Sequence, residues 1–176
     1  MSTMSARIVS FEPIANNSAR ILILGSMPGE ASLKAGQYYA HTRNTFWKIM
    51  GELIGFDPQA PYAQRVTALT LAGIALWDVL HSCYREGSLD SAIKNDSIEV
   101  NDFNAFLAQH PHITRVCFNG AAAAKCYQKH VLPTCKHTAI HYMRLPSTSP
   151  AHAALSFEQK VMAWRTAIGT AHAMHD

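Results

Sequence analysis

The chain contains no apolar run long enough to span a bilayer and no signal-peptide pattern at its polar N-terminus, so neither a membrane-spanning nor an exported protein is expected. Its four cysteines (Cys83, Cys117, Cys126 and Cys135) include no Cys-x-x-Cys pair, and the spacing of zinc, iron–sulfur and dithiol sites is missing. A reduced, cytoplasmic protein is the expectation from that usage. There is no internal repeat and no low-complexity linker, which argues against a solenoid or a string of modules. Net charge is small, at +3, compatible with a nucleic-acid partner without requiring one. Ten histidines would raise that charge in mild acid.

What the chain has is apolar material. At 176 residues and 48% apolar composition it can bury one substantial core. A single domain over residues 1–176 is expected, with 1–19 as an N-terminal arm in which Phe11 and Ile14 pack. Residues 20–24 (RILIL) read as a strand apolar on both faces, as a central parallel strand should be. Helices are predicted over residues 44–54, 61–72, 101–111, 121–129 and 157–168. Further strands are predicted over residues 74–77, 113–118 and 138–142. Residues 81–99 show no clear period and read as a loop folded over a site. This alternation predicts a three-layer α/β/α fold around a central four-stranded, mainly parallel sheet.

The organising stretch is residues 21–47, ILILGSMPGEASLKAGQYYAHTRNTFW. A buried strand breaks into a Gly/Pro loop, passes two tyrosines and enters a helix. Open α/β sheets place ligands at such carboxyl ends. The flat tyrosine faces and the backbone N–H groups of Gly25, Ser26 and Met27 suit a planar ring attached to something anionic. The other strand-end loops begin at Asp78 and Asn119, and the fourth is LPSTSPAH, residues 145–152.

Three segments in this order, GSMPG…YYAHTRNTFW, GIALWDVL and LPSTSPAH, resemble the uracil-DNA glycosylase superfamily. The branch they resemble most is that of the hypoxanthine-DNA (deoxyinosine) glycosylases. The resemblance runs from Arg20 to about Arg165. It implies a monofunctional glycosylase that flips a deaminated base, most simply hypoxanthine, out of double-stranded DNA and hydrolyses its bond to the sugar during base excision repair. The family works without a metal or an organic cofactor, and a monomer is expected.

The resemblance also assigns roles residue by residue. Gly25, Ser26, Met27, Tyr39 and Asp78 would bind the base, with Tyr39 stacking on it and Tyr38 the lesser member of the pair. Mismatch-specific relatives carry a catalytic Asn in the first motif, where this chain has Met27, or Ser26 one place earlier. Asn44 is the replacement that would orient the water. An Asn at a helix start is also a favoured cap, and both readings stand. Asp78 replaces the Asn that reads uracil in relatives. It would accept a ring N–H such as that of hypoxanthine, or serve as a buried carboxylate of raised pKa. Leu145 stands where relatives have the His or Asn that stabilises the leaving base, so His152 is the candidate substitute, with His141 a poorer one. Pro146, Ser147, Thr148 and Ser149 would engage DNA, with Arg43 and Lys34 on its phosphates. Asn119 reads as turn chemistry beside Gly120.

Other readings remain. One is a glycosylase for uracil or mismatched thymine, and another is a non-catalytic DNA- or nucleotide-binding module. A third is a metal hydrolase built on His110-x-His112, although that pair flanks Pro111 and is expected at the surface.

Overall fold

The computed structural model describes residues 6–173. The strands are β1 (Ile8–Val9), β2 (Ile21–Gly25), β3 (Ile74–Asp78), β4 (Leu80–Cys83), β5 (Glu99–Val100), β6 (Arg115–Asn119) and β7 (His141–Leu145). The α-helices are α1 (Glu30–Ala35), α2 (Phe46–Ile54), α3 (Tyr62–Leu71), α4 (Phe103–Gln109), α5 (Ala121–His130) and α6 (Phe157–Ala173). The central sheet has the order β3-β2-β6-β7, and every pair in it is parallel. Helices cover both faces, so the expected three-layer α/β/α architecture is the observed one.

Alternation along the strands explains the two cores. Ile21 and Ile23 of β2 point to one face, where they meet Phe46, Trp47, Ile49 and Met50 of α2 and Val161, Trp164, Ala167 and Ile168 of α6. Leu22 and Leu24 point to the other, where Phe103, Phe106 and Leu107 of α4 and Tyr127 of α5 cover them. Helix α2 stops at Gly55, whose φ of 95° supplies the left-handed turn that ends a helix. Helix α4 starts at Asp102, whose side chain accepts from the Ala105 N–H.

Several local expectations are corrected. The fourth strand is His141–Leu145, not residues 138–142, because pairing with β6 in the register Arg115↔His141 to Asn119↔Leu145 sets its position. An edge strand exposed over much of its length carries little apolar alternation to reveal that register. Leu145 therefore belongs to a strand and is buried, and the loop begins at Pro146. The stretch after Gly25 contains α1 and is not all loop. Helix α2 begins at Phe46, two residues later than Asn44.

The aperiodic stretch 81–99 contains most of β4, two short 3-10 turns and the first residue of β5. With β1 these strands form a second, antiparallel sheet in the order β1-β4-β5. Residues 6–19 are tied into the fold, through β1 on β4 and an isolated bridge between Ile14 and Leu76. Phe11 and Ile14 pack on the core as expected. Residues 1–5 of the expected arm lie outside the described residues. No helix among the described residues is long and apolar enough to cross a membrane.

Candidate active site

The carboxyl ends of all four parallel strands contribute to one cavity of about 500 Å³, through Gly25, Asp78, Asn119 and, just past β7, Ser147. The chain passes from β2 to a neighbour on one side and from β6 to a neighbour on the other. The ends of β2 and β6 thus form a topological switch point, where open sheets leave a crevice.

Gly25 and Asp78 pair in register at the floor. A Cβ on Gly25 would lie 2.6 Å from Asp78 Oδ1 and 3.0 Å from the Tyr39 hydroxyl. A side chain here would force the Asp78 carboxyl or the Tyr39 phenol to move. Asp78 is 3% exposed and its Oδ2 has no hydrogen-bond partner. Burial, reinforced by the Asp90 carboxylate and opposed by Arg85, pushes its pKa up to about 7. The Tyr39 hydroxyl is also buried and makes no well-aligned hydrogen bond, and desolvation followed by the Asp78 charge raises its pKa well above the usual phenol range, against a lowering contribution from the nearby Asn119 side chain.

Both tyrosines border the cavity, but their hydroxyls differ. Tyr38 is core: its hydroxyl donates to the Glu12 carbonyl, and its carbonyl accepts from Trp47 Nε1. Tyr39 lines the cavity, with its ring against Phe46 at 4.2 Å between centroids and 32° between planes. It holds a left-handed φ of 55°, uncommon for an aromatic residue and a form of strain that concentrates at functional sites.

Asn44 also lines the cavity. Its Oδ1 accepts from the Phe46 N–H at 3.0 Å, a turn-type bond at the start of α2. Its Nδ2 donor makes no hydrogen bond to the described residues. One end of the amide thus shapes the backbone, and the other is open.

The loop after β7 is pinned along its length. Trp164 Nε1 donates to the Pro146 carbonyl, and Lys160 Nζ donates to the His152 carbonyl. Between them the Asn119 side chain grips Thr148 twice, with Oδ1 accepting from its N–H and Nδ2 donating to its Oγ1. The Thr45 N–H donates to the Thr148 carbonyl. Asn119 is therefore more than turn chemistry, and this is a correction: its side chain ties β6 to a segment 29 residues on. Nothing in the local Asn-Gly pattern reports that.

Among the residues singled out from sequence, the structure gathers Gly25, Ser26, Met27, Tyr39, Asn44, Asp78, Ser147, Thr148 and Ser149 around the cavity. Arg43, Pro146 and His152 do not line it, whereas Lys34 does. His110 is not a metal-site member. Its ring stacks on Phe106 at 4.3 Å and its Nδ1 bonds the Phe106 carbonyl. Among the described residues no group of three or more His, Cys, Asp or Glu is placed to hold a metal ion.

Sequence reasoning did not name Ser88, Leu89 or Asp90, which form one wall. Ser26 Oγ donates to Asp90 Oδ1, and the Glu30 N–H donates to Ser88 Oγ. Behind them the buried Arg85 donates to the Pro28 and Gly87 carbonyls. The expectation that residues 81–99 fold over a site anticipated the wall but not its members, since four polar bonds in an aperiodic stretch leave no pattern.

Comparison with known proteins finds relatives of this chain and its fold. A profile of the Uracil DNA glycosylase superfamily matches residues 13–167. A protein of Methanosarcina barkeri named Hypoxanthine DNA glycosylase is 41% identical over 111 residues, covering 62% of this chain and 69% of its own. One of the same name from Methanosarcina acetivorans is 35% identical over 133 residues, covering 70% of this chain and 83% of its own. A solution NMR structure from M. acetivorans, described provisionally as a uracil DNA glycosylase, superposes with a TM-score of 0.79 at 29% identity. It covers 94% of this chain and 99% of its own.

Proposed function

This chain belongs to the uracil DNA glycosylase superfamily, and on that premise we propose that it hydrolyses the base–sugar bond of deoxyinosine in duplex DNA, releasing hypoxanthine. The observation that carries the reading is the floor of the cavity. Two buried polar groups, the Tyr39 hydroxyl and Asp78 Oδ2, lack partners in a crevice at the sheet's switch point. Leaving such groups unsatisfied costs about 1–3 kcal/mol each, which a polar, planar ligand would recover. Both curated relatives carry the name of the hypoxanthine enzyme, which supports that base over uracil.

The stacked base is out of reach inside a duplex and must be extruded, at a cost of a few kcal/mol that is lowest for a mispaired base. In the pocket the base lies against Tyr39, a contact worth about 1–3 kcal/mol for stacked bases. Asp78 faces its polar edge. The open end of the Asn44 amide orients the water that attacks C1′, an amide being too weak a base to do more than position and polarise it. Ser147 and Ser149 on the pinned loop, with Lys34 at the cavity and Arg43 outside it, hold the flanking phosphates. The enzyme acts as a monomer in the cytoplasm, in keeping with four free thiols in the chain.

The test is a panel of duplexes carrying deoxyinosine, deoxyuridine or deoxyxanthosine opposite each base. Free hypoxanthine is expected, with the strand intact until alkali is added. Binding without base release would leave a DNA-binding module, and a preference for uracil would reassign the substrate.

A further inference from the structure

We propose that Asp78 is the acid of the reaction, passing its carboxyl proton to N7 of the departing purine as the bond from C1′ to N9 breaks. This rests on the deoxyinosine reading above. A purine that leaves with the bonding electron pair is a poor leaving group as an anion and a far better one as neutral hypoxanthine. Its ring has a basic nitrogen, N7, that pyrimidines lack. The acid must therefore stand in the base pocket and carry a proton there.

Asp78 meets these conditions. It ends β3 on the cavity floor, 3% exposed, with Oδ1 over the Gly25 Cα and Oδ2 without a partner. An unpaired buried carboxylate is costly, so the site favours the neutral, proton-bearing form. The charged and titratable groups facing it are Asp90 and Arg85 from the segment after β4, and the phenols of Tyr38 and Tyr39 from the loop before α2. Asp90 disfavours ionisation and Arg85 favours it, with the net result near neutrality. The cavity's histidine, His41, is exposed, and its Nδ1 already accepts from the Arg43 N–H.

The step balances. Water adds its oxygen to C1′, the C1′–N9 electron pair goes to the purine, and the Asp78 proton goes to N7. The proton shed by the water leaves to solvent, and Asp78 takes one back from solvent once hypoxanthine has gone. Because the protonated carboxyl is the active form, the rate is full below the Asp78 pKa and falls about tenfold per pH unit above it.

The experiment measures single-turnover release from deoxyinosine and 7-deazadeoxyinosine duplexes between pH 5 and 9, with binding to an abasic-analogue duplex followed separately. For the wild type, the deoxyinosine rate is expected to fall above about pH 7. Asp78→Asn is expected to lose about a hundredfold on deoxyinosine and the falling limb with it, at unchanged duplex binding. On 7-deazadeoxyinosine, which has no N7 to protonate, the same substitution should cost much less than it does on deoxyinosine. An equal loss on both substrates, or a falling limb that survives Asp78→Asn, would overturn the proposal. So would a pH-independent wild-type rate, which needs no variant to fold. Wild-type protein that releases no hypoxanthine at all would instead remove the parent reading.

Discussion

Between Pro146 and His152 the polar groups are committed inside the protein. Trp164, Asn119, Thr45 and Lys160 each bond a backbone carbonyl or N–H of that loop. Across the cavity, at the ends of β2 and β3, the Tyr39 hydroxyl and Asp78 Oδ2 are buried and make no well-aligned hydrogen bond, with only the Asn119 side chain near the phenol. The contrast separates two duties. A loop that must press against a substrate gains from being over-tied, because every bond removes a conformation. A floor that must receive a ligand gains from being under-tied, because what the free protein leaves unsatisfied the ligand can satisfy.

The sharpest way to break this contrast is Gly25→Ala. The added methyl would lie 2.6 Å from Asp78 Oδ1 and push the floor apart. Base release from a deoxyinosine duplex is expected to fall by on the order of a hundredfold or more, since displacements of an ångström carry that penalty. Single-turnover rates near wild type would show that the floor yields freely. Asn44→Ala is expected next, with roughly a hundredfold loss of base release and little loss of duplex binding. Unchanged kinetics in that variant would leave Asn44 with its helix-start bond to Phe46 alone.

The rim should respond in stability more than in chemistry. Asn119→Ala removes both bonds to Thr148 and leaves a buried Thr148 polar group unsatisfied, a loss of about 1–3 kcal/mol in urea unfolding. A stability equal to wild type would deny the rim its role as a frame. The smallest effect is expected from Tyr39→Phe. Removing a hydroxyl that has no partner should leave stability unchanged or raise it by up to about 1 kcal/mol. A destabilisation of that size would mean the phenol is bonded in the free protein, and the contrast between rim and floor would narrow.

The same contrast shows what could be read in advance. Apolar runs such as ILIL marked the central strands because both faces of a parallel sheet are buried. Parallel order then set all the strand ends on one edge, and Gly25, Asp78 and Ser147 were found there. Strand β7 was misplaced because it is an edge, half in water, with its register set by β6. The second sheet escaped notice because β1 and β4 are separated by some seventy residues and each is short. Ser88 and Asp90 escaped for the same reason: their partners, Glu30 and Ser26, lie about sixty residues away.

Local periodicity and composition by themselves determined the layers, the strand-and-helix alternation and the edge at which a ligand must sit. Burial is a property of each residue's repeat, so it is written along the chain. Tertiary structure alone decided that the Tyr38 hydroxyl is spent on the Glu12 carbonyl, what Asn119 holds, and which polar atoms stay without partners. Those outcomes depend on distances between groups far apart in sequence, and no local pattern records a distance.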